Sequence, residues 1–207
     1  MSYTPQVQKK HYEGAYVSSE RWVSYFHQLD LVQQTGAQSI LEIGVGHGTV
    51  SRELKARGLD VTTADIAEDL HPDLVCSVTE LPVGDNSFDA VLAAEILEHI
   101  QFKDVLQALD EIARVCKTYA VISVPHPGFI LTSAILKLPK LRASWLIKLP
   151  FFWERKTATP EHYWELGRPG FPVSRFIKEA AKAGLQLVST KSYADDPAHR
   201  FFLFKKI

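Results

Sequence analysis

Apolar residues along the chain switch between two spacings. Trp22, Tyr25, Phe26, Leu29 and Val32 recur at helical intervals. They predict an amphipathic helix that starts near Glu20, is capped by Ser18 or Ser19, and ends at Gly36. Ser39 to Ile43 reads as a strand. Val50 and Leu54 mark one face of a second helix, with Gly58 placed to stop it. The β-branched run from Asp60 to Asp65 predicts a second strand, and Leu74 to Val78 a short third. Phe88 to Glu95 and Tyr119 to Pro125 have the continuous apolar character of strands buried on both faces. Between them Val105, Leu106, Leu109, Ile112, Ala113 and Cys116 share one helical face. Ser174 is placed to cap a helix that Gly184 stops, and Leu185 to Ser192 and Arg200 to Ile207 follow as two strands.

Strands alternating with helices predict an α/β domain with a doubly wound parallel sheet. The connection between the last two strands, around Asp195 to Ala198, is too short for a parallel crossover. Those strands are expected to pair antiparallel or to lie apart. The segment 126–172 breaks the rhythm, with many prolines and with Trp145, Trp153 and Trp164. It follows the strand ending at Val124, where the ligand crevice of such a sheet lies. It is therefore expected to be an inserted lid or substrate-binding region.

Composition narrows the class. At 207 residues, 46% hydrophobic and 23% charged, the chain suits one soluble domain over 1–207, with 1–36 as an N-terminal cap helix. A formal charge of -1 gives no global attraction to nucleic acid, and none is expected as a partner. Cys76 and Cys116 show no metal-ligand spacing, so they read as reduced thiols of a cytoplasmic protein and no metal is expected. The first residues lack an apolar signal-peptide core, and no uncharged apolar run reaches the ~18 residues of a membrane span. Phe129 to Lys156 mixes large apolar residues with six basic ones and a single acid, Glu154. Three uses remain open for 129–156: helices packed on the domain, a peripheral membrane or lipid contact, or an acidic partner.

The sharpest chemistry lies in Leu41 to Leu54, "LEIGVGHGTVSREL". Gly44, Gly46 and Gly48 form a strand-to-helix turn that lets a ligand approach the backbone. Thr49 stands where a dinucleotide fingerprint wants another small residue, and Asp65, about twenty residues on, can hold a ribose diol. These features suit an adenosine cofactor, NAD or another. Taken together, "ILEIGVGHGTVS", "VTTADI", "SVTELPVGDNSFDAVLAAEILEHI" and "VISVPH" resemble the ordered motifs of class I, Rossmann-like S-adenosylmethionine-dependent methyltransferases. The resemblance runs from about Ser39 to His126. It implies a mostly parallel seven-stranded sheet with an antiparallel last strand, and S-adenosyl-L-methionine as cofactor.

Carried over by position, the resemblance places the backbone of Gly44 and Gly46, with Gly48, beside the methionine part. It places Glu42 near the ammonium end, Asp65 on the ribose hydroxyls, and Ile66 against the adenine. Ser77 stands where the family often has Asp, and Val78 would line the adenine edge. Glu95 would face the amino-acid end or the acceptor. Glu98 and His99 are expected to lock the turn. Arg21 is a candidate for the methionine carboxylate, though a solvated helix-face arginine fits it as well. His126 is the first candidate for a general base and His162 the second, since an imidazole titrates near pH ~6.5. Tyr163 and Trp164 are candidates for a substrate wall. The expected activity is methyl transfer to a small-molecule or lipid-linked acceptor. A non-catalytic cofactor-binding protein and an NAD-dependent oxidoreductase are the alternatives.

Overall fold

The computed structural model describes Pro5, residues 18–138 and residues 141–207, with the backbone alone at 141 and 142. The rest of the expected N-terminal cap before Ser18, including Tyr12 and Tyr16, lies outside the described residues.

Helix α1 (Ser19–Thr35) leads into strand β1 (Ser39–Ile43), helix α2 (Thr49–Ala56), and strands β2 (Asp60–Asp65), β3 (Leu74–Val75) and β4 (Phe88–Ala94). Helix α3 (Val105–Val115), β5 (Cys116–Pro125), β6 (Gly128–Leu138), β7 (Leu141–Pro150), α4 (Val173–Lys182), β8 (Leu185–Lys191) and β9 (His199–Lys206) complete the order. Seven strands form one sheet in the order β3-β2-β1-β4-β5-β9-β8. All its pairs are parallel except those of β9, which runs antiparallel to both β5 and β8. The expected antiparallel last strand is therefore present, at an interior position of the sheet. β1 has β2 on one side and β4 on the other, so the chain reverses its direction of winding there. A crevice opens at that point beyond the carboxyl ends of the strands.

Both faces of the sheet are covered, and β9 shows why. Phe201 and Leu203 join a cluster with Leu29 and Val32 of α1 and Val50 and Leu54 of α2. Phe202 and Phe204 point the other way, into a cluster with Leu109 and Ile112 of α3 and Phe176 of α4. The alternation of a strand thus builds two cores from four successive residues. Cys116 is buried at the start of β5, Cys76 is partly buried, and both are free thiols.

Several expectations change in detail. β3 has two residues rather than five. Ser18 caps α1 by accepting the Arg21 amide, but α4 starts at Val173 behind Pro172, and Ser174 lies inside its first turn without a capping bond. On α1, Trp22 and Phe26 are exposed, while Ser24, His27, Gln28, Leu29, Leu31 and Val32 are buried. The helix has turned toward the loop before β9. There His27 stacks on Tyr193 at 3.5 Å and bonds Asp195 at 2.9 Å, so polar side chains take inward positions.

The largest change is in 126–172. Its apolar and basic stretch is a β-hairpin rather than helices. β6 and β7 pair from Gly128↔Pro150 to Leu138↔Leu141 as a separate two-stranded sheet. Phe129, Leu131, Trp145 and Ile147 are exposed on it. Its base is tied to the loop before β9, where Lys148 Nζ donates to the carbonyls of His126 and Pro197, and Ser133 Oγ to that of Ala194. No helix among the described residues is long and apolar enough to cross a membrane.

Candidate functional site

A cavity of about 220 Å³ occupies the crevice. Its floor comes from the ends of β1, β2 and β4 and the turn after β1. Its side comes from Arg21, Ser24, Tyr25 and Gln28 of α1, with His199 of β9 at one edge. Among the expected cofactor residues, Glu42, Gly44, Gly46, Asp65 and Glu95 all line it.

The turn is shaped by backbone chemistry. Gly44 sits at φ 87°, a conformation that side chains strongly disfavour, and donates its amide to Ala64 at 2.7 Å. A methyl group on Gly44 would meet Ile96 Cδ1 at 2.0 Å. Asp65 secures the turn from the neighbouring strand, accepting the Val45 amide at Oδ2 and the Ala67 amide at Oδ1, both at 2.9 Å. Burial raises the Asp65 pKa, against those backbone bonds.

Glu42 lies within β1 and is buried, and its Oε2 has no hydrogen-bond partner. Burial pushes its pKa up to about 8, although Ser51, Lys55 and Arg52 act in the other direction. A buried carboxyl facing a cavity with a vacant acceptor oxygen is suited to a cationic donor. The cavity thus offers an anchor for an ammonium, a bare stretch of backbone, and a carboxylate for a diol. That set fits the amino-acid and ribose parts of an adenosyl amino acid.

Glu95 follows β4 at φ 55°, an unusual conformation for a residue with a side chain. Its Oε1 accepts from Ser123 Oγ at 2.7 Å, and its Oε2 stands 3.5 Å from His199 Nε2. The other nitrogen of His199 meets Asp196 at 2.7 Å. Burial opposes charge on His199, but Glu95 and Asp196 outweigh it and raise the pKa to about 9. Near neutral pH His199 is therefore an imidazolium that holds Glu95 in place. Nothing in the sequence pattern marks His199. Only the β5–β9 register, which sets Pro125 opposite His199, brings it to the carboxyl ends of the parallel strands.

The remaining expected residues lie outside the cavity wall. Gly48, at φ 69°, is the residue from which α2 starts. Ser77 Oγ is engaged with Thr79 Oγ1 at 2.8 Å, and the Val78 side chain belongs to the core. Both stand close to Asp65, whose carbonyl accepts the Cys76 amide at 2.9 Å. Ile66 is half-buried beside it.

The expected bases and one expected substrate residue need correction. His126 is buried, and burial together with Lys148 and Arg200 lowers its pKa to about 3. Such an imidazole is neutral and a weak base near neutral pH, and His126 is not part of the cavity lining. His162 is mostly buried, with Nδ1 at 2.8 Å from Glu165 Oε1, and packs on His99 instead of lining the cavity. Trp164, expected on a substrate wall, is a core side chain. Its Nε1 donates to the carbonyls of Leu97 and Ile100, and its ring packs on Phe102, Phe171 and Phe176. Tyr163 is exposed, and its amide donates to the Glu98 carbonyl. That bond helps fix the Leu97–His99 turn.

Comparison with known proteins agrees with this geometry. Residues 41–124 match the family model described as a methyltransferase domain. An uncharacterized methyltransferase of Mycobacterium tuberculosis is 34% identical over 99 residues, which is 43% of this chain and 40% of that protein. The chain thus aligns with well under half the length of that relative. A demethylmenaquinone methyltransferase of Renibacterium salmoninarum is 29% identical over 148 residues, 65% of this chain and 60% of that protein. In fold, the magnesium protoporphyrin IX methyltransferase of Synechocystis, solved with S-adenosylhomocysteine, superposes with a TM-score of 0.66. It is 11% identical, with 96% of this chain and 92% of that one covered. By its strand order and its superposition the chain has the fold of class I, Rossmann-like methyltransferases, and its segment 41–124 is similar to the methyltransferase domain.

Proposed function

We propose that this protein binds S-adenosyl-L-methionine in the cavity at the β1–β4 switch and catalyses transfer of its methyl group to a small-molecule acceptor. The observation that carries the proposal is the unpartnered Oε2 of buried Glu42, in one cavity with the Gly44 turn and Asp65. Bound there, the cofactor supplies a methyl group already activated on a sulfonium. Glu42 holds the ammonium end, the backbone around Gly44 and Gly46 lies along the methionine part, and Asp65 accepts the ribose hydroxyls. Ile66, the Ser77 turn and the backbone of Val78 are assigned to the adenine edge, supported by the Cys76–Asp65 backbone bond. Glu95, steadied by Ser123 and His199, faces the acceptor side. With His126 neutral and His162 outside the cavity, the main tasks are alignment and exclusion of water. α1 contributes to both by closing one side.

Glu42 makes the proposal testable through protons. In the free protein its pKa of about 8 exceeds the ordinary carboxylate value of 4.5. Its contribution to stability is therefore fully present below pH ~4.5 and is lost as pH rises through about 8. Binding an ammonium requires the ionised form. Complex formation near pH 7 should release up to one proton, and affinity should rise with pH until about 8. Calorimetry in buffers of different ionisation enthalpy measures that proton, and Glu42→Gln should abolish it. No proton release by the native protein, or release unchanged in Glu42→Gln, would remove Glu42 from the cofactor's ammonium.

A lipid-like acceptor, or a membrane surface that delivers it, is a second reading favoured by the hairpin. Phe129, Leu131, Trp145, Ile147, Phe152 and Trp153 are exposed within one segment. A membrane-docking arm or a lid over a greasy acceptor both use such residues. Co-flotation with vesicles containing anionic lipid should fall severalfold in Trp145→Ser/Ile147→Ser. Equal flotation of the two proteins would leave the acceptor as a freely soluble molecule.

A further inference from the structure

Beside the cofactor cavity, three side chains converge for which methyl transfer as derived above has no use. Glu98 and His99 stand in the short helical turn after β4, and His162 comes from the segment between the hairpin and α4. One ligand-type atom from each lies within 4.8 Å of the other two. Glu98 is fully buried, and neither of its carboxylate oxygens has a hydrogen-bond partner. A buried carboxyl with two unpaired oxygens is costly, and the nearest basic group is His99, with Nε2 4.0 Å from Oε1.

His162 is prepared in a particular way. Its Nδ1 meets Glu165 Oε1 at 2.8 Å, which directs the lone pair of a neutral ring to Nε2. Glu165 is itself buried and is held by Arg168 and by the Ala158 amide at 2.8 Å. A carboxylate behind a histidine, fixing its tautomer and orientation, is the usual support of a metal-binding imidazole. The His99 and His162 rings pack edge to face, with centroids 5.1 Å apart and planes at 79°.

We propose that Glu98, His99 and His162 form a binding site for a divalent transition-metal ion, with Glu165 positioning His162. Two imidazoles and one carboxylate favour manganese, iron, cobalt or zinc over calcium or magnesium, which prefer oxygen ligands throughout. Metal–ligand bonds of about 2.0–2.2 Å require the three side chains to close in on a shared ion from this spacing. Three protein ligands leave coordination positions open for an oxygen donor. Glu95, three residues earlier, lines the cofactor cavity, so an ion here would sit at the edge of the space assigned to the acceptor. The site does not depend on which cofactor the cavity binds.

The test uses tag-free protein dialysed against a chelator and titrated with Co2+ in the absence of cofactor. The expected result is one tightly bound equivalent per chain, with a visible absorption spectrum typical of nitrogen and oxygen ligands and a raised melting temperature. His162→Ala and Glu98→Gln should abolish that equivalent. His99→Ala changes a partly exposed side chain, so it keeps the test open if the buried variants fail to fold, and it should weaken binding at least about tenfold. Glu165→Gln should weaken it by roughly 10–100-fold, the usual loss when the group behind a ligand is removed. No tight equivalent in the native protein, or an undiminished one in His99→Ala, would overturn the proposal.

Discussion

Asp65→Ala should bind S-adenosylhomocysteine at least about a hundredfold more weakly than the native protein. Each oxygen of Asp65 already accepts one backbone amide, Val45 or Ala67, and each retains a lone pair for a ribose hydroxyl. Hydrogen bonds to a charged group contribute about 1.5–3 kcal/mol each. Two of them give about 3 kcal/mol or more, and each ~1.4 kcal/mol is tenfold in affinity. Losing the amide contacts also loosens the turn, which adds to the effect. Calorimetric titration measures the affinity, and a melting curve separates local loss from unfolding. A folded variant that binds like the native protein would take Asp65 out of the site. NAD binding more tightly than S-adenosylhomocysteine would overturn the cofactor assignment itself.

Gly44→Ala should also damage binding, by a different route. At φ 87° an L-residue is strained by roughly 1–2 kcal/mol. The added carbon would also stand 2.0 Å from Ile96 Cδ1 and 2.6 Å from Cγ1. Ile96 lines the cavity, so its displacement reshapes the space the cofactor needs. Binding should fall by more than about tenfold, with a lowered melting temperature. Combining Gly44→Ala with Ile96→Ala relieves the clash but not the strain, so part of the loss should return. If the double variant is no better than Gly44→Ala alone, the clash is not what harms binding.

The sequence brought Glu42, Gly44, Gly46, Asp65 and Glu95 to one cavity because each sits at or near the end of a strand. Glu42, Gly44 and Asp65 are set by where β1 and β2 stop, and apolar runs mark those stops well. His199 was illegible, since it reaches the cavity only through strand pairing with β5. Polar patterning misled at His126 and Trp164. A histidine after a strand and a tryptophan in a polar segment look available, yet both are buried, Trp164 among carbonyls and aromatic rings and His126 beside Gly167, Lys148 and Arg200. The hairpin escaped for a related reason. Much of its apolar surface is exposed, so no alternation of inward and outward residues distinguishes its strands from helix.

The hairpin's feet, Gly128 and Pro150, stand opposite one another in register. An arm that leaves and re-enters the domain at one point can be lengthened, trimmed or exchanged with little effect on the sheet, because the entropy of closing a loop grows only slowly with its length. What lies beyond β5 can therefore change while the strand ends that line the cavity keep their places. Gene-level shuffling of residues 128–150 between relatives is the natural laboratory version of that change.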